Sequence, residues 1–209
     1  MRNRRTYMRR AYKAARDLGY EIIDPTIDVE VVFDRTVEAN LCTDDDIERL
    51  RDGTPVQLFS NTWVCVIALA EAGATNSEVR TVRASDVDLD EGVVRLAGNA
   101  RVDERINSLT EWGTMVLRER LVSLDADDFV VTNGDDRQCS EATVSQMFKH
   151  IANYANLGSR GFNINSVRGW RARAVYEETG RIQDAAVFLG NRSLDATAFL
   201  IGLDWRQAS

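Results

Sequence analysis

Eleven of the 24 arginines lie in three short stretches of the 209-residue sequence. The basic residues of the N-terminal stretch are Arg2, Arg4, Arg5, Arg9, Arg10, Lys13 and Arg16. The second stretch holds Arg101 and Arg105, and the third holds Arg168, Arg171 and Arg173. A guanidinium group presents a planar fork of donors that matches phosphate oxygens and base edges. The three stretches therefore predict contacts with nucleic acid.

The overall composition offers a different explanation for the number of arginines. The net charge is −7, with 33 acidic and 26 basic residues, which taken alone argues against a nucleic-acid partner. Arginine accounts for 24 of the 26 basic residues, and an Asp-rich, Lys-poor composition is expected of a protein from a salty environment or a GC-rich genome. Composition does not explain the clustering. In high salt, base and shape readout would have to carry more of the binding.

Residue counts and spacing exclude several other classes of protein. Cys42, Cys65 and Cys139 are odd in number and far apart, which argues against a disulfide framework and a zinc site. With His150 as the only histidine, we expect no metal and no cofactor. The longest apolar run, residues 63–70, is far shorter than the roughly 20 residues of a membrane span. The N-terminus resembles no secretory signal, so we expect a cytoplasmic protein.

Hydrophobic periodicity and capping residues predict a mainly α fold with a small antiparallel β-sheet. Thr43 is a predicted N-cap with Asp46 in the capping-box position, and Ser140 is a second predicted N-cap. The predicted helices are residues 6–19, 43–50, 56–72, 75–82, 111–122, 140–154, 166–178, 182–189 and 194–201. The predicted strands are 89–96, 105–109 and 128–132, and residues 27–33 form either a strand or an extended linker. The expected core positions include Trp63, Cys65, Trp112, Tyr154 and Trp170.

Several segments resemble, in the same order, segments of the tyrosine recombinases, the family of phage integrases and Xer-type resolvases. Residues 71–89, which contain Gly-Ala-Thr-Asn-Ser-Glu-Val, are similar to the segment around the family's TGLR turn. Residues 92–109 resemble the family's hairpin, and 165–169 stand where its H-LRH motif belongs. Residues 178–191, which end in Leu-Gly-Asn, resemble its LGH turn. The resemblance covers roughly residues 43–201 and implies a catalytic-domain-like fold in residues 43–209.

The same resemblance implies a set of catalytic positions, most of which hold other residue types. Thr75 and Arg168 stand at the two phosphate-binding arginines, Asn99 or Arg101 at the lysine, Asn165, Gly169 and Asn191 at the histidines, and Leu200 at the nucleophilic tyrosine. Strand cleavage needs a phenolate nucleophile, paired cations on the phosphate and a proton donor for the leaving oxygen. Leu200 has no nucleophilic atom, and asparagine transfers no proton near neutral pH. We therefore expect a protein that binds duplex DNA without cleaving it.

The resemblance also implies partners and a domain organisation. The predicted DNA-binding residues are Arg2, Arg4, Arg5, Arg9, Arg10, Lys13, Arg101, Arg105, Asn165, Arg168, Arg171 and Asn191. Residues 1–42 are expected to be a basic helix and linker, a remnant of the family's N-terminal DNA-clamping domain. Two alternatives stay open. The chain is either an accessory subunit that joins a recombinase or its own copy through the C-terminal helix, or a strand transferase with a relocated nucleophile, Tyr154 or Tyr176.

Overall fold

The computed structural model describes residues 2–20, 39–53, 61–133 and 137–203. The chain divides into two compact units, residues 1–37 and 38–209. The described helices are α1 (Arg2–Asp17), α2 (Asp44–Asp52), α3 (Asn61–Glu71), α4 (Asn76–Val79), α5 (Glu111–Leu121), α6 (Glu141–Tyr154), α7 (Ile164–Thr179), α8 (Ile182–Leu189) and α9 (Leu194–Leu200). The described strands are β1 (Val87–Asp88), β2 (Val93–Leu96), β3 (Arg105–Ser108), β4 (Thr132–Asn133) and β5 (Arg137–Gln138).

The strands form two small antiparallel sheets among the helices. The first has the order β1–β2–β3, with Val94 paired to Asn107 and Leu96 to Arg105, and the second pairs β4 with β5. This arrangement confirms the predicted fold class. No helix in the described part of the chain is long and apolar enough to cross a membrane.

Helix α3 lies at the centre of the core of the larger unit. Its residues from Val64 to Ala70 are almost completely buried, and the helix packs against α5, α6 and α7. Burial on every side explains why its sequence is nearly continuously apolar. At its end, the buried Glu71 accepts two hydrogen bonds from Arg51 and one from Thr110, which ties α2 and α5 to α3. The predicted core positions of Trp63, Trp112 and Trp170 are confirmed as partly buried residues packed on this core, and Cys65 is fully buried.

Side-chain caps fix where the helices begin. Thr43 and Asp46 form the predicted capping box of α2, and Ser140 caps α6 as predicted. Asn163 caps α7, so this helix begins at Ile164, two residues earlier than the sequence predicts. Helix α4 begins after the N-cap Thr75 and ends at Val79, earlier than the predicted end at residue 82, and a short 3₁₀ segment follows at 84–86.

Two expectations about the remaining elements are wrong. Residues 128–132 do not form one strand: Phe129 makes a single β-bridge with Arg83, and only Thr132 belongs to β4. Tyr154 is 49% exposed rather than in the core. It lies one position off the stripe of α6 that carries the buried Phe148 and Ile151. The predicted segment at 27–33 and the predicted helix start at 56–60 lie outside the described residues.

Candidate nucleic-acid interface

A buried ion pair between Glu78 and Arg105 lies at the centre of the candidate site. Arg105 Nη1 and Nη2 donate to the Glu78 carboxylate at 2.7 and 3.2 Å, and the two side chains are 4% and 1% exposed. Arg105 also donates to the carbonyl oxygens of Gly73, Asp103 and Phe188. All five N–H groups of its guanidinium are therefore used inside the protein.

The Glu78 carboxylate makes as many hydrogen bonds as the Arg105 guanidinium that it binds. Its carboxylate accepts hydrogen bonds from the Thr75 hydroxyl at 2.8 Å and from the backbone N–H groups of Thr75 and Gly98. Burial opposes ionisation of the carboxyl group, but the bonds from Arg105 and Thr75 outweigh it, so the pKa of Glu78 is lowered. The ionised carboxylate thus joins the start of α4 to the hairpin and to β3.

Arg168 lies beside this pair and is itself 4% exposed. Its Nε donates to Gly73 O at 2.8 Å, its Nη1 to Asn165 Oδ1 at 2.8 Å and its Nη2 to Leu189 O at 3.2 Å. Desolvation, together with the neighbouring Arg105, lowers the pKa of Arg168 to about 10, although Glu78 acts in the opposite sense. The group is still a cation at neutral pH, and three of its five N–H groups are used in these bonds.

The C-terminal end of α8 helps to hold both arginines. The carbonyl of Phe188 accepts from Arg105 and that of Leu189 accepts from Arg168. These carbonyls belong to the last turn of the helix, where the backbone dipole favours positive charge. The sequence therefore places two cations at a helix end that stabilises them.

Hydrogen bonds extend the buried pair to the surface on two sides, through polar side chains on one and through the Gly73 carbonyl oxygen, to which Arg105 and Arg168 both donate, on the other. On one side, the Thr75 hydroxyl lies 3.1 Å from Ser77 Oγ, which accepts from Asn99 Nδ2 at 2.9 Å. On the other side, Arg168 leads to the exposed Asn165. We call the connected set the Glu78 network, and its members are Thr75, Ser77, Glu78, Asn99, Arg105, Asn165 and Arg168. Four of the positions that the resemblance implies are thus connected by hydrogen bonds.

Two further implied positions, Asn191 and Leu200, lie on the segment that follows α8. Asn191 Nδ2 donates to Thr197 Oγ1 at 3.2 Å, and the residue forms a β-bridge with Val102 of the hairpin. Leu200 is half-buried and packs with a small cluster formed by Ala172, Ala185, Leu189 and Ile201. Its carbonyl oxygen would lie 2.6 Å from a Cβ atom added at Gly169, so a glycine on α7 permits the end of α9 to approach.

The structure places the predicted DNA-binding arginines in different environments. Arg101 is exposed in the hairpin turn, and Arg10 and Lys13 are exposed on α1. The side chains of Arg2, Arg4, Arg5 and Arg9 lie outside the described part, although their backbone belongs to α1. Arg171 is half-buried, and its Nε is buried without a hydrogen-bond partner among the described residues.

Arg105 requires a correction. The sequence predicts that it contacts DNA, but its side chain is buried and its five donors are all occupied by Glu78 and backbone carbonyls. Alternation along β3 gives the physical reason, because Arg105 and Asn107 face inwards while Ile106 and Ser108 face solvent. The hydrogen bonds of Arg105 therefore hold the hairpin in place.

Sequence reasoning missed Arg192, which is exposed next to the hairpin. Its Nε and Nη2 both donate to Asp103 Oδ1, at 2.8 and 2.6 Å. The signal that could have found it is its position directly after the Leu-Gly-Asn turn, one residue from Asn191. Among the described residues, no group of His, Cys, Asp and Glu side chains is arranged to hold a metal ion.

Comparison with known proteins identifies the fold. No family model matches the sequence, and no curated protein matches it. XerA recombinase matches with a TM-score of 0.70 and 16% identity over 96% of this chain and 72% of that chain. A lambda integrase dimer bound to a COC' core site matches with 0.70 and 16% over 94% of this chain, which spans 57% of the integrase chain. The Tn1549 transposon integrase, in complex with transposon right end DNA, matches with 0.69 and 12% over 95% and 73%. The protein thus has the fold of a tyrosine recombinase catalytic domain.

Proposed function

We propose that this protein binds double-stranded DNA and has lost the ability to cleave it. The observation that carries the proposal is that four positions aligned with the family's catalytic groups are engaged inside the Glu78 network: Thr75 binds Glu78, Asn99 binds Ser77, and Arg168 binds Asn165. Leu200, aligned with the nucleophile, contributes a hydrocarbon side chain to an apolar cluster. Such a site offers hydrogen-bond donors to a phosphate but neither a nucleophile nor a proton donor for the leaving oxygen.

Exposed donors supply the DNA-binding part of the proposal. Arg168 Nη1 donates to Asn165 Oδ1, and Asn165 is exposed, so its amide group can donate to a ligand at the surface. Asn165, Asn191 and Arg168 would hold phosphate, while Arg101 and the basic helix α1 would contact neighbouring parts of the duplex. The lambda and Tn1549 integrases of the same fold were solved with DNA, which supports this assignment.

The biological role that follows is occupation of a DNA site. The protein would regulate transcription or replication of a mobile element, or block a site against an active recombinase. In this proposal the basic helix α1 contributes phosphate contacts. Cytoplasmic location and adaptation to high salt stay predictions from composition.

A protein-binding role is the second candidate, and an observation on α9 favours it. Leu194 and Phe199 are large apolar side chains on that helix, and both are exposed. A helix with exposed apolar residues is suited to join a recombinase or a second copy of this chain. The third candidate, a relocated nucleophile, is less well supported. Tyr176 packs against the same cluster as Leu200, and it is eight residues from Arg168, or about 12 Å along α7.

The dependence of duplex affinity on salt tests the main proposal against the protein-binding role. Each phosphate neutralised adds roughly 0.9 to the log–log slope, so we expect a slope of several units. The triple variant R10Q/K13Q/R16Q should reduce this slope. The control is Arg118→Gln, which changes an exposed arginine of α5 outside the three basic stretches and should keep the duplex affinity within about twofold of the wild-type value. Weak binding with a flat salt dependence would favour the protein-binding role.

Incubation with a nicked suicide duplex tests the loss of cleavage. We expect no covalent protein–DNA adduct, because the aligned side chain at position 200 is aliphatic. A denaturation-resistant adduct would refute the proposal. Substituting Tyr176 and Tyr154 by phenylalanine would then identify the nucleophile.

A further inference from the structure

The hairpin turn and the α8–α9 turn are fixed against each other by the backbone. Val102 and Asn191 form an antiparallel β-bridge, and Asp103 N donates to Gly190 O at 2.9 Å. The Asp103 carbonyl oxygen also accepts from Arg105 Nη1 at 3.0 Å. Gly190 has a φ of +68°, and a Cβ atom there would lie 2.8 Å from Asp103 O. The backbone of Asp103 is therefore held from two sides.

The bridge places two arginines on the same side of its paired residues. Arg101 directly precedes Val102 and Arg192 directly follows Asn191, so in the antiparallel bridge both adjoin the same end. Val102 is buried, whereas Arg101, Asp103 and Arg192 are exposed. Two exposed arginines and one aspartate thus lie at the surface beside the Glu78 network.

The aspartate binds one of the two arginines. Asp103 Oδ1 accepts both bonds from Arg192, and the side chains are 55% and 63% exposed. Exposed ion pairs of this kind contribute little to stability, because solvent competes for both partners. A ligand that offers Arg192 two acceptor oxygens can therefore replace the carboxylate at small energetic cost.

We propose that Arg101 and Arg192 form a backbone-phosphate site in which Asp103 holds Arg192 in the free protein and releases it to phosphate when DNA binds. The inference rests on the proposed DNA-binding function and names a residue, Arg192, that the sequence analysis did not include. Arg192 is the partner that moves, because its side chain is long and flexible while the Asp103 backbone is fixed by Gly190 and Arg105.

The hairpin offers a matched control for the test. Glu104 Oε1 binds Arg95 Nη2 at 2.7 Å, and these side chains are 55% and 56% exposed. Glu104 is adjacent to Asp103 in sequence and equally exposed, but it binds Arg95 of β2 instead of Arg192. The variants Asp103→Asn and Glu104→Gln therefore remove the same charge and break ion pairs of the same kind, but only the first frees Arg192.

The main experiment measures the affinity for duplex DNA at a series of salt concentrations. We expect D103N to bind about two- to fivefold more tightly than the wild type with a nearly unchanged log–log slope, because Arg192 contacts a phosphate in both complexes and only the cost of breaking the ion pair is removed. E104Q should change affinity by less than about twofold. R192Q should weaken binding, and D103N/R192Q should show no gain. If D103N and E104Q gained duplex affinity equally, net charge alone would explain the effect and the proposal would be overturned. It would also be overturned if D103N gained no affinity over the wild type.

A second measurement separates this inference from the proposed function. The Arg192 Nε–H resonance, identified by its loss in R192Q, reports directly on the bond to Asp103. Inorganic pyrophosphate should shift this resonance in the wild type, and at lower pyrophosphate concentration in D103N. If the wild type binds no duplex at low salt, the proposed function fails, but the titration still decides whether the arginine site exists. No shift with pyrophosphate or duplex would overturn the inference.

Discussion

Glu78→Gln is the substitution that most directly tests the Glu78 network. The change removes the anion but leaves Arg105 and Arg168 as neighbouring buried cations. Removing one partner of a buried ion pair typically costs about 3–5 kcal/mol, because the remaining charge is left uncompensated. The total stability of a domain is on the order of 5–15 kcal/mol, so this loss would be a large fraction of it.

Urea unfolding followed by tryptophan fluorescence measures the effect, because Trp63, Trp112 and Trp170 all pack on the core. The control is Glu104→Gln, which removes an exposed partner of Arg95 and should cost less than about 1 kcal/mol. If E78Q and E104Q unfolded at the same urea concentration, the argument that the buried ion pair stabilises the fold would be refuted.

The double variant E78Q/R105M sharpens the same test. It removes the unpaired cation together with its partner, so it should be less destabilising than the sum of the two single substitutions. Additive losses would show that Glu78 and Arg105 contribute independently, contrary to the geometry that joins them at 2.7 Å.

The pH dependence of stability follows from the same carboxyl group. The folded pKa of Glu78 is lowered from its ordinary value of 4.5, so the folded state favours the ionised form. The stability that this provides is fully present above pH 4.5 and is lost as the pH falls through the lower folded pKa. The difference in unfolding free energy between the wild type and E78Q should therefore shrink on acidification below pH 4.5.

Further predictions concern the turns, the thiols and the nucleophile position. Gly190→Ala should destabilise the fold by more than about 1 kcal/mol in urea unfolding, since the residue has a φ of +68° and the added Cβ would meet Asp103 O. Gly169→Ala should displace the end of α9 and speed amide exchange there, whereas unchanged exchange would contradict the close approach to Leu200. The three buried cysteines should resist alkylation until the protein unfolds, because burial raises the pKa of each thiol, to about 12 for Cys42 and Cys65. Leu200→Tyr alone should give no adduct on a suicide duplex, and an adduct would show that a proton donor is still present.

Local signals in the sequence predict helix ends well. Thr43 with Asp46, and Ser140 before α6, carry their capping geometry in residue type and spacing alone. The glycines at 180 and 190 end α7 and α8 in the left-handed conformation that other residues avoid. Such features depend on four or five adjacent residues, so no tertiary information is needed to predict them.

The roles of individual arginines could not be predicted in the same way. Arg101 and Arg105 belong to one hairpin, and their residue type is identical. They differ because side chains along β3 alternate between the buried and the exposed face, and this alternation turns Arg105 inward. There it meets Glu78, which is 27 positions away in sequence. Arg192 owes its position beside Asp103 to a bridge between segments 89 residues apart. Contacts of this range depend on the whole packing and leave no local pattern.

Arg105 links the buried Glu78–Arg105 ion pair to the exposed Asp103–Arg192 ion pair. Its Nη1 binds both the Glu78 carboxylate and the Asp103 carbonyl, so the buried ion pair fixes the backbone that presents Asp103 to Arg192. Arg105 uses all of its donors to hold the hairpin in place, so Arg168 and the exposed Arg101 and Arg192 are the arginines that keep donors for a phosphate. It follows that Glu78→Gln, in the fraction that stays folded, should also weaken duplex binding, whereas Asp103→Asn should strengthen binding with little change in stability. Opposite effects of two carboxylate removals on one ligand would be hard to explain by net charge, since both variants make the protein less acidic by the same amount.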